Sequence, residues 1–268
     1  MEIKGILVDI NGTLTVGDEP LSGAVEAMRL LKDSGIAVRY TSNIDSRPRS
    51  EVAGWLESLG FPVEEGEVFT PTIAAARRLR GMRCHALVNQ SVLVDLGGVE
   101  FVPGDVDEAD EAGAAEAVLV GDVRGDFTYE NLDRAFGHLA CGAELFALQK
   151  NRSRQSRRPG GVSLDTGAFV AALEYASGKR ATVFGKPEEP FFDLALEDLG
   201  LERGTVAVVG DDLYSDVGGA RAAGLFCVQV KTGKYDSDST ADDGEGAAGV
   251  GADETVEDFS RVPSLLGL

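Results

Sequence analysis

The residues best suited to catalysis stand at the ends of apolar runs. Asp9 closes the run Gly5-Ile6-Leu7-Val8, and Asn11 and Gly12 follow it. A carboxylate at the carboxyl end of a buried strand in an α/β sheet lies in the crevice where such folds bind ligands. Asp and Asn next to Gly are also ordinary turn residues. By itself, this segment therefore predicts either a nucleophile loop or a simple turn.

Polar residues suited to binding a phosphate or a cation follow three further apolar runs. They are Ser42 and Asn43 after the second run, Lys186 after the third, and Asp211, Asp212 and Asp216 after the fourth. Because the carboxyl ends of parallel strands share one edge of a sheet, we expect all four run ends to converge there. The competing interpretations are an N-cap for Ser42 and a favourable helix N-terminus for the acidic residues. Lys186 precedes Pro187, which can begin a helix at its first turn, and this favours a role at the site over simple solvation.

Strand-like and helix-like periods alternate along the chain. Helical spacing occurs near residues 24–31, 52–59, 71–79, 129–139 and 167–175, and strand-like runs near 36–43, 86–88, 117–120, 144–148, 181–184, 206–209 and 226–230. The alternation predicts an α/β fold, a Rossmann-like parallel sheet core with helices on both faces plus an inserted smaller α/β domain. We place the core at residues 1–81 and 179–268 and the insert at 82–178, so that the strand near 181–184 belongs to the core.

Charge and composition restrict the partners. The chain has 268 residues, 45 acidic against 25 basic, and a formal net charge of -20, which argues against nucleic acid and anionic membranes. The 3 cysteines and 2 histidines form no metal-ligand spacing, disulfide framework or His-based triad. No apolar run is long enough for a membrane span and no signal peptide is evident, so we expect a cytoplasmic protein. The acidic excess with few lysines favours a salt-rich, halophile-like cytoplasm; a merely very soluble acidic protein is the alternative.

The four run ends, in this order, resemble the four motifs of the haloacid dehalogenase (HAD) superfamily of aspartate-nucleophile phosphatases. The matching segments are Asp9-Ile10-Asn11-Gly12-Thr13, Tyr40-Thr41-Ser42-Asn43, Gly185-Lys186-Pro187 and Gly210-Asp211-Asp212-Leu213-Tyr214-Ser215-Asp216-Val217. The large insert between the second and third motifs resembles the branch with an α/β cap domain. That branch includes p-nitrophenyl phosphatase-like and phospholysine phosphohistidine inorganic pyrophosphate phosphatase-like proteins. The resemblance covers nearly the whole chain, most loosely over the cap.

The resemblance implies a magnesium-dependent phosphatase that acts on small phosphorylated metabolites. Asp9 would attack phosphorus and become an aspartyl phosphate. Mg²⁺ would be bound by the Asp9 carboxylate, the backbone carbonyl of Asn11 and Asp211. Lys186 would neutralise the negative groups that share the pocket. Phosphoryl transfer depends mainly on positioning and on such stabilisation of charge.

The remaining motif residues would support these groups. Ser42 would donate its hydroxyl to a phosphate oxygen, helped by a neighbouring amide such as that of Asn43. Asp216 would orient a metal-bound water or Lys186, while Asp212 could take either kind of role. Thr13 is assigned, like these two aspartates, to the surroundings of the metal ligands.

Asn11 departs from the family pattern. Most phosphatases of this superfamily have a second aspartate there, which protonates the leaving group, and asparagine does not titrate usefully. General acid-base catalysis contributes about 10²–10⁴-fold to the rate. Three outcomes follow: substrates whose leaving groups need little protonation (aryl phosphates, pyrophosphate, P–N bonds), a proton from another residue such as one in the cap, or a phospho-ligand-binding or regulatory protein with little turnover. We favour the first, because the other motifs are intact.

Specificity is expected to come from the cap, which would close over the site and exclude water. The dense basic patch of the chain consists of Arg152, Arg154, Arg157 and Arg158. It either attracts an anionic group of the substrate or forms a solvated loop, and we favour the loop. A haloacid dehalogenase proper and a phosphoacceptor receiver domain fit the chain less well. The sequence leaves a homodimer open and does not identify the substrate.

Overall fold

Strands and helices alternate through most of the chain in the computed structural model, which describes residues 2–102, 115–155, 161–235 and 251–268. The strands are β1 (Gly5–Asp9), β2 (Thr15–Val16), β3 (Glu19–Pro20), β4 (Ala37–Thr41), β5 (Val68–Phe69), β6 (Arg83–Leu87), β7 (Glu100–Phe101), β8 (Ala117–Val120), β9 (Glu144–Ala147), β10 (Ser153–Gln155), β11 (Val162–Leu164), β12 (Thr182–Val183), β13 (Val206–Gly210), β14 (Phe226–Val230) and β15 (Glu254–Val256). The helices are α1 (Ala24–Asp33), α2 (Arg49–Ser58), α3 (Pro71–Arg78), α4 (Tyr129–Ala140), α5 (Thr166–Ser177), α6 (Glu189–Leu199), α7 (Gly219–Ala222) and α8 (Val262–Leu265).

The larger sheet has six parallel strands in the order β15-β14-β13-β1-β4-β5. Its central strands β1 and β13 are buried along their whole length, because their apolar side chains are covered on both faces of the sheet. The carboxyl ends of β1, β4, β13 and β14 therefore lie at one edge. Three of the four sequence-predicted run ends occupy that edge.

The second sheet has five parallel strands in the order β12-β9-β8-β6-β7. Its buried side chains form a cluster with apolar residues of α4 and α5, among them Leu139 and Val170. Two short antiparallel pairs, β2 with β3 and β10 with β11, complete the strands. The observed fold is thus of the predicted α/β class, with two parallel sheets.

The chain divides into two units, each with one of these sheets. The first unit comprises Met1–Ser42, Arg49–Phe69 and Lys186–Leu268, and the second comprises Asn43–Pro48 and Thr70–Gly185. The divisions at 69/70 and 185/186 differ from the 81/82 and 178/179 expected from the sequence. Helix α3 and strand β12 accordingly belong to the second unit.

Two local predictions were wrong. The strand near 181–184 does not join the larger sheet: β12 pairs with β9, and Val183 packs into the apolar cluster of the second unit. Pro187 does not begin a helix either, since α6 begins at Glu189 and carries Pro190 in its first turn. Lys186 therefore follows a strand of the second sheet through a short loop rather than ending a strand of the first.

Two further findings bear on the sequence analysis. Among the described residues, no helix is both long and apolar enough to cross a membrane. Arg152 and Arg154 lie in or next to β10, whereas Arg157 and Arg158 of the basic patch lie outside the described residues.

Candidate active site

The first unit brings Asp9, Lys186 and Asp216 together at the carboxyl edge of its sheet. Lys186 Nζ donates to Asp9 Oδ1 at 2.5 Å and to Asp216 Oδ1 at 2.6 Å. The three side chains are 3%, 11% and 2% exposed for Lys186, Asp9 and Asp216. One buried cation therefore links the end of β1 to the helical turn that follows β13.

Asp211 follows β13 and is held from both of its carboxylate oxygens. Thr13 donates its hydroxyl to Oδ1 at 3.2 Å, and the Lys234 amide donates to Oδ2 at 2.7 Å. Gly12 (φ 99°) and Gly233 (φ 60°) leave space for this carboxylate, since a Cβ on either would lie within 2.2 or 2.1 Å of Asp211 Oδ2. Both positions require glycine for its positive φ and for the close approach.

Burial controls the protonation of this cluster. Desolvation raises the pKa of Asp9 to about 7, with Asp216 and Asp211 adding to the rise and Lys186 opposing it. Burial also raises the pKa of Asp211 above its ordinary value. Burial alone would lower the pKa of Lys186, but the charges of Asp216 and Asp9 outweigh it and raise the pKa. The lysine is therefore charged at neutral pH, whereas the Asp9 carboxyl group gains or loses its proton near pH 7.

Asp212 shares Lys234 with Asp211, and its other hydrogen-bond partners are different. Its Oδ1 accepts from the amides of Tyr214 and Ser215 at 2.9 and 3.0 Å, and Lys234 Nζ donates to Oδ2 at 2.7 Å. Burial would raise the pKa of Asp212, but these hydrogen bonds outweigh it and lower the pKa. Asp212 thus caps the helical turn Leu213–Gly218 and anchors a lysine.

The other predicted residues occupy distinct positions. Ser42 is buried immediately after β4, and its amide donates to the carbonyl of Phe69 at 3.3 Å. Asn11 is exposed in the turn after β1, and Thr13 in the same turn is fully buried. Asn43 belongs to the second unit, so it is not part of the first unit, which contains Asp9, Asp211 and Asp216.

Sequence reasoning assigned no role to the segment after β14. Thr232 donates its hydroxyl to the carbonyl of Gly12 at 2.5 Å, and Lys234 binds both aspartates of the Asp211-Asp212 pair. The signal was available, because this segment also follows the carboxyl end of a parallel strand at the same edge. The sequence pattern does not reveal that Gly12 and Gly233, which are far apart in the chain, both lie against the Asp211 carboxylate.

The buried carboxylates suit a hard divalent cation. Asp9, Asp211 and Asp216 each offer an oxygen, and these atoms lie within 4.8 Å of one another. Three carboxylates face one lysine in this buried space, so an additional positive charge would relieve their repulsion and the cost of burying them. Oxygen donors of this kind are those that Mg²⁺ prefers. The residues present therefore fit such an ion.

Comparisons with known proteins agree with this arrangement. A family model described as haloacid dehalogenase-like hydrolase matches residues 6–113, and one described as HAD-hydrolase-like matches residues 183–260. The phospholysine phosphohistidine inorganic pyrophosphate phosphatase of Rattus norvegicus is 36% identical over 239 residues, covering 87% of this chain and 84% of the rat protein. The haloacid dehalogenase-like hydrolase domain-containing protein 2 of Bos taurus is 37% identical over 236 residues, covering 87% and 86%.

A solved structure shows the same similarity in three dimensions. The p-nitrophenyl phosphatase from Archaeoglobus fulgidus matches with a TM-score of 0.86 and 27% identity, covering 99% of this chain and 100% of that one. The chain belongs to the haloacid dehalogenase-like hydrolases. Within them it belongs to the branch that contains the p-nitrophenyl phosphatase-like and phospholysine phosphohistidine inorganic pyrophosphate phosphatase-like proteins.

Proposed function

We propose that this protein is a phosphatase for small phosphorylated metabolites, with Asp9 as its nucleophile. The observation that carries the proposal is the Asp9 carboxylate at the carboxyl end of β1, 2.5 Å from a buried lysine. The names of its relatives, a p-nitrophenyl phosphatase and a pyrophosphate phosphatase, support the class of reaction. In this proposal the first unit is the catalytic core and the second is the cap.

The proposed reaction has two steps. An Asp9 oxygen forms a bond to phosphorus while the bond from phosphorus to the leaving group breaks, which gives an aspartyl phosphate. Water then hydrolyses this acyl phosphate, releasing phosphate and restoring the carboxylate. Lys186 orients Asp9 through its hydrogen bond, and its positive charge offsets the negative charge gathered around the transferring group. The Ser42 hydroxyl, buried at the end of the neighbouring strand β4, donates to a phosphate oxygen.

Mg²⁺ completes the proposal as a cofactor. The Asp9 carboxylate, the backbone carbonyl of Asn11 and Asp211 would hold the ion, with Thr13 fixing the orientation of Asp211 through its 3.2 Å hydrogen bond. Asp216 is hydrogen-bonded to Lys186 and positions that lysine, although its carboxylate also lies close enough to serve the ion. When bound, the ion supplies positive charge that stabilises the phosphoryl oxygens in the transition state.

Asn11 restricts the substrates in this proposal. An amide cannot protonate a departing alkoxide, so alkyl phosphates should react slowly. Aryl phosphates and pyrophosphate have weakly basic leaving groups, and the nitrogen of a P–N bond is basic enough to take its proton from water, so none of these substrates requires an acid from the protein. We therefore infer a preference for these substrates over sugar phosphates.

A substrate screen beside two variants tests the proposal. Turnover of p-nitrophenyl phosphate, pyrophosphate, phosphoramidate and a sugar phosphate is measured with and without Mg²⁺. Asp9→Asn should abolish turnover, whereas Asp193→Asn, which replaces an aspartate of α6 paired with Arg203, should retain it. Tight binding of phosphate esters with no turnover of any substrate would instead support a phospho-ligand-binding or regulatory protein.

The substitution Asn11→Asp tests the preference for good leaving groups separately. If the missing acid limits the rate, hydrolysis of the sugar phosphate should rise by about 10²-fold or more, while p-nitrophenyl phosphate gains little. An equal gain for both substrates, or no gain for either, would contradict the assignment of the restriction to Asn11.

A further inference from the structure

The second unit contains a cavity of about 280 Å³ between the turn after β8, the strand pair β10–β11 and the start of α5. Two arginines line it, Arg124 and Arg154, together with Phe127, Phe169, Asp122 and Asp165. All these residues belong to the second unit. The cavity is therefore a feature of that unit alone and shares no residue with the carboxylate cluster of the first.

Arg124 is held at the cavity in an unfavourable backbone conformation. Its φ is 47°, and it is the only non-glycine residue with positive φ among those described. The Asp122 carboxylate accepts from both its backbone amide and its Nε, each at 3.1 Å. A left-handed arginine persists only where its surroundings fix it, and such strain is typical of functional positions. The side chain is nonetheless 61% exposed, so its guanidinium is accessible.

The acidic residues of the cavity already have partners. Asp122 is occupied by Arg124, and Asp165 Oδ1 accepts from Gln149 Nε2 at 3.1 Å and from the Thr166 amide at 2.9 Å. Thr166, which also lines the cavity, has a buried hydroxyl without a hydrogen-bond partner in the described part of the chain. The groups that remain to bind a ligand are hence mainly donors: the ends of two guanidinium groups and hydroxyls beside them.

The lining of the cavity also includes apolar side chains. Phe127 and Phe169 stack with ring centroids 3.7 Å apart and planes 10° from parallel. Leu164 also lines the cavity and is 64% exposed. An apolar surface left open next to positive charge is suited to an amphipathic anion, because burial of its apolar part and pairing of its charge both favour binding.

We propose that this cavity binds a small organic carboxylate with a flat apolar group, its carboxylate held by Arg124 and Arg154 and its apolar group against Phe127 and Phe169. A monoanion is preferred over a phosphate dianion, because Asp122 and Asp165 lie close by and repel a second negative charge. The proposal concerns binding in the second unit only. Its failure leaves the proposed phosphatase activity untouched, and the absence of activity does not affect it.

The test is calorimetric titration of the full-length protein with benzoate, beside acetate, benzamide and phenylphosphonate. Benzoate should bind saturably with a Kd in the millimolar range or tighter, as expected for a ligand of this size. Acetate lacks the ring and benzamide lacks the charge, so both should bind more weakly. If the wild-type protein shows no saturable binding of benzoate, the proposal is overturned.

Variants locate the binding. Arg124→Gly suits the positive φ, so the fold is retained, and the Kd for benzoate should rise about tenfold or more through loss of a charge-assisted hydrogen bond. Arg154→Gln should weaken binding in the same direction, whereas Arg180→Gln, an exposed arginine of the same unit outside the cavity, should not. Equal Kd values for Arg124→Gly and Arg180→Gln would overturn the site. Tighter binding of phenylphosphonate than benzoate, lost in Arg124→Gly, would overturn the carboxylate assignment.

Discussion

Lys186→Met removes the buried cation that links two carboxylates while keeping a side chain of similar length. Nζ lies 2.5 Å from Asp9 Oδ1 and 2.6 Å from Asp216 Oδ1, with all three side chains almost fully buried. Removing one partner of a buried ion pair costs about 3–5 kcal/mol, because the other charge is left uncompensated. Since this lysine serves two carboxylates, we expect a loss in the free energy of unfolding at the upper end, about 5 kcal/mol.

The loss can be measured by urea unfolding in the presence of a chelator, so that no bound cation replaces the lysine. Trp55 is the one tryptophan of the chain and belongs to the first unit, so its fluorescence follows the unit that contains Lys186. With a slope of about 2 kcal/mol per molar urea, the midpoint should fall by about 2.5 M. Lys231→Met is the matched control, because Lys231 pairs with Glu257 at 2.7 Å on the surface and should leave the midpoint near that of the wild-type protein.

The size of the loss should also depend on pH. Even with the lysine present, the pKa of Asp9 is raised to about 7 from its ordinary 3.8, and removing the lysine removes an effect that lowers it. The folded variant therefore keeps the Asp9 proton to a higher pH than the unfolded chain does. Its penalty is present above the folded pKa and shrinks as pH falls toward 3.8, so the loss should be larger at pH 8 than at pH 5. Equal losses at the two pH values, or a shift no larger than that of Lys231→Met, would refute the reasoning.

Three other expectations concern the rest of the chain. Gly233→Ala should lower the free energy of unfolding by about 2 kcal/mol more than Gly17→Ala, as measured with denaturant. The φ values of the two glycines are 60° and 59°, but only the methyl group added at Gly233 meets the Asp211 carboxylate. Equal losses for the two variants would exclude that clash. Burial lowers the pKa of His85 to about 4, so between pH 6.5 and 4 the unfolded chain binds a proton that the folded chain does not. Stability should fall as pH falls through that range, and His85→Phe should flatten the profile; an unchanged slope would contradict the assignment. The net charge of -20 predicts that the unfolding temperature rises with added KCl, whereas full stability in dilute buffer would favour a merely soluble acidic protein.

The sequence was informative where long apolar runs end in polar residues. The runs that became β1, β4 and β13 are buried strands of one parallel sheet, so the rule about carboxyl ends located Asp9, Ser42 and Asp211 correctly at one edge. Short edge strands were not predicted: β5 has two residues and β15 has three, too few for any periodicity.

Lys186 shows why a run end alone does not determine a sheet. The apolar run before it has the composition of a core strand, yet only Thr182–Val183 forms a strand, and it pairs with β9 of the second sheet. Tertiary packing of Val183 decides that pairing, and local sequence contains no information on it. Only Phe184 and Gly185 separate Val183 from Lys186, and the division between the two units falls directly before the lysine.

Asn11 and its neighbours differ in what they contribute to the fold. Thr13 and Asp211 are buried and hydrogen-bonded to each other, so replacing either disturbs packing as well as chemistry. The Asn11 side chain is exposed in the same turn, and substitutions at exposed positions usually change stability by less than about 0.5 kcal/mol. An aspartate at position 11 would thus carry little structural cost. The absence of an aspartate at position 11 is therefore not explained by stability. Asn11→Asp should change the reaction while the fold stays the same.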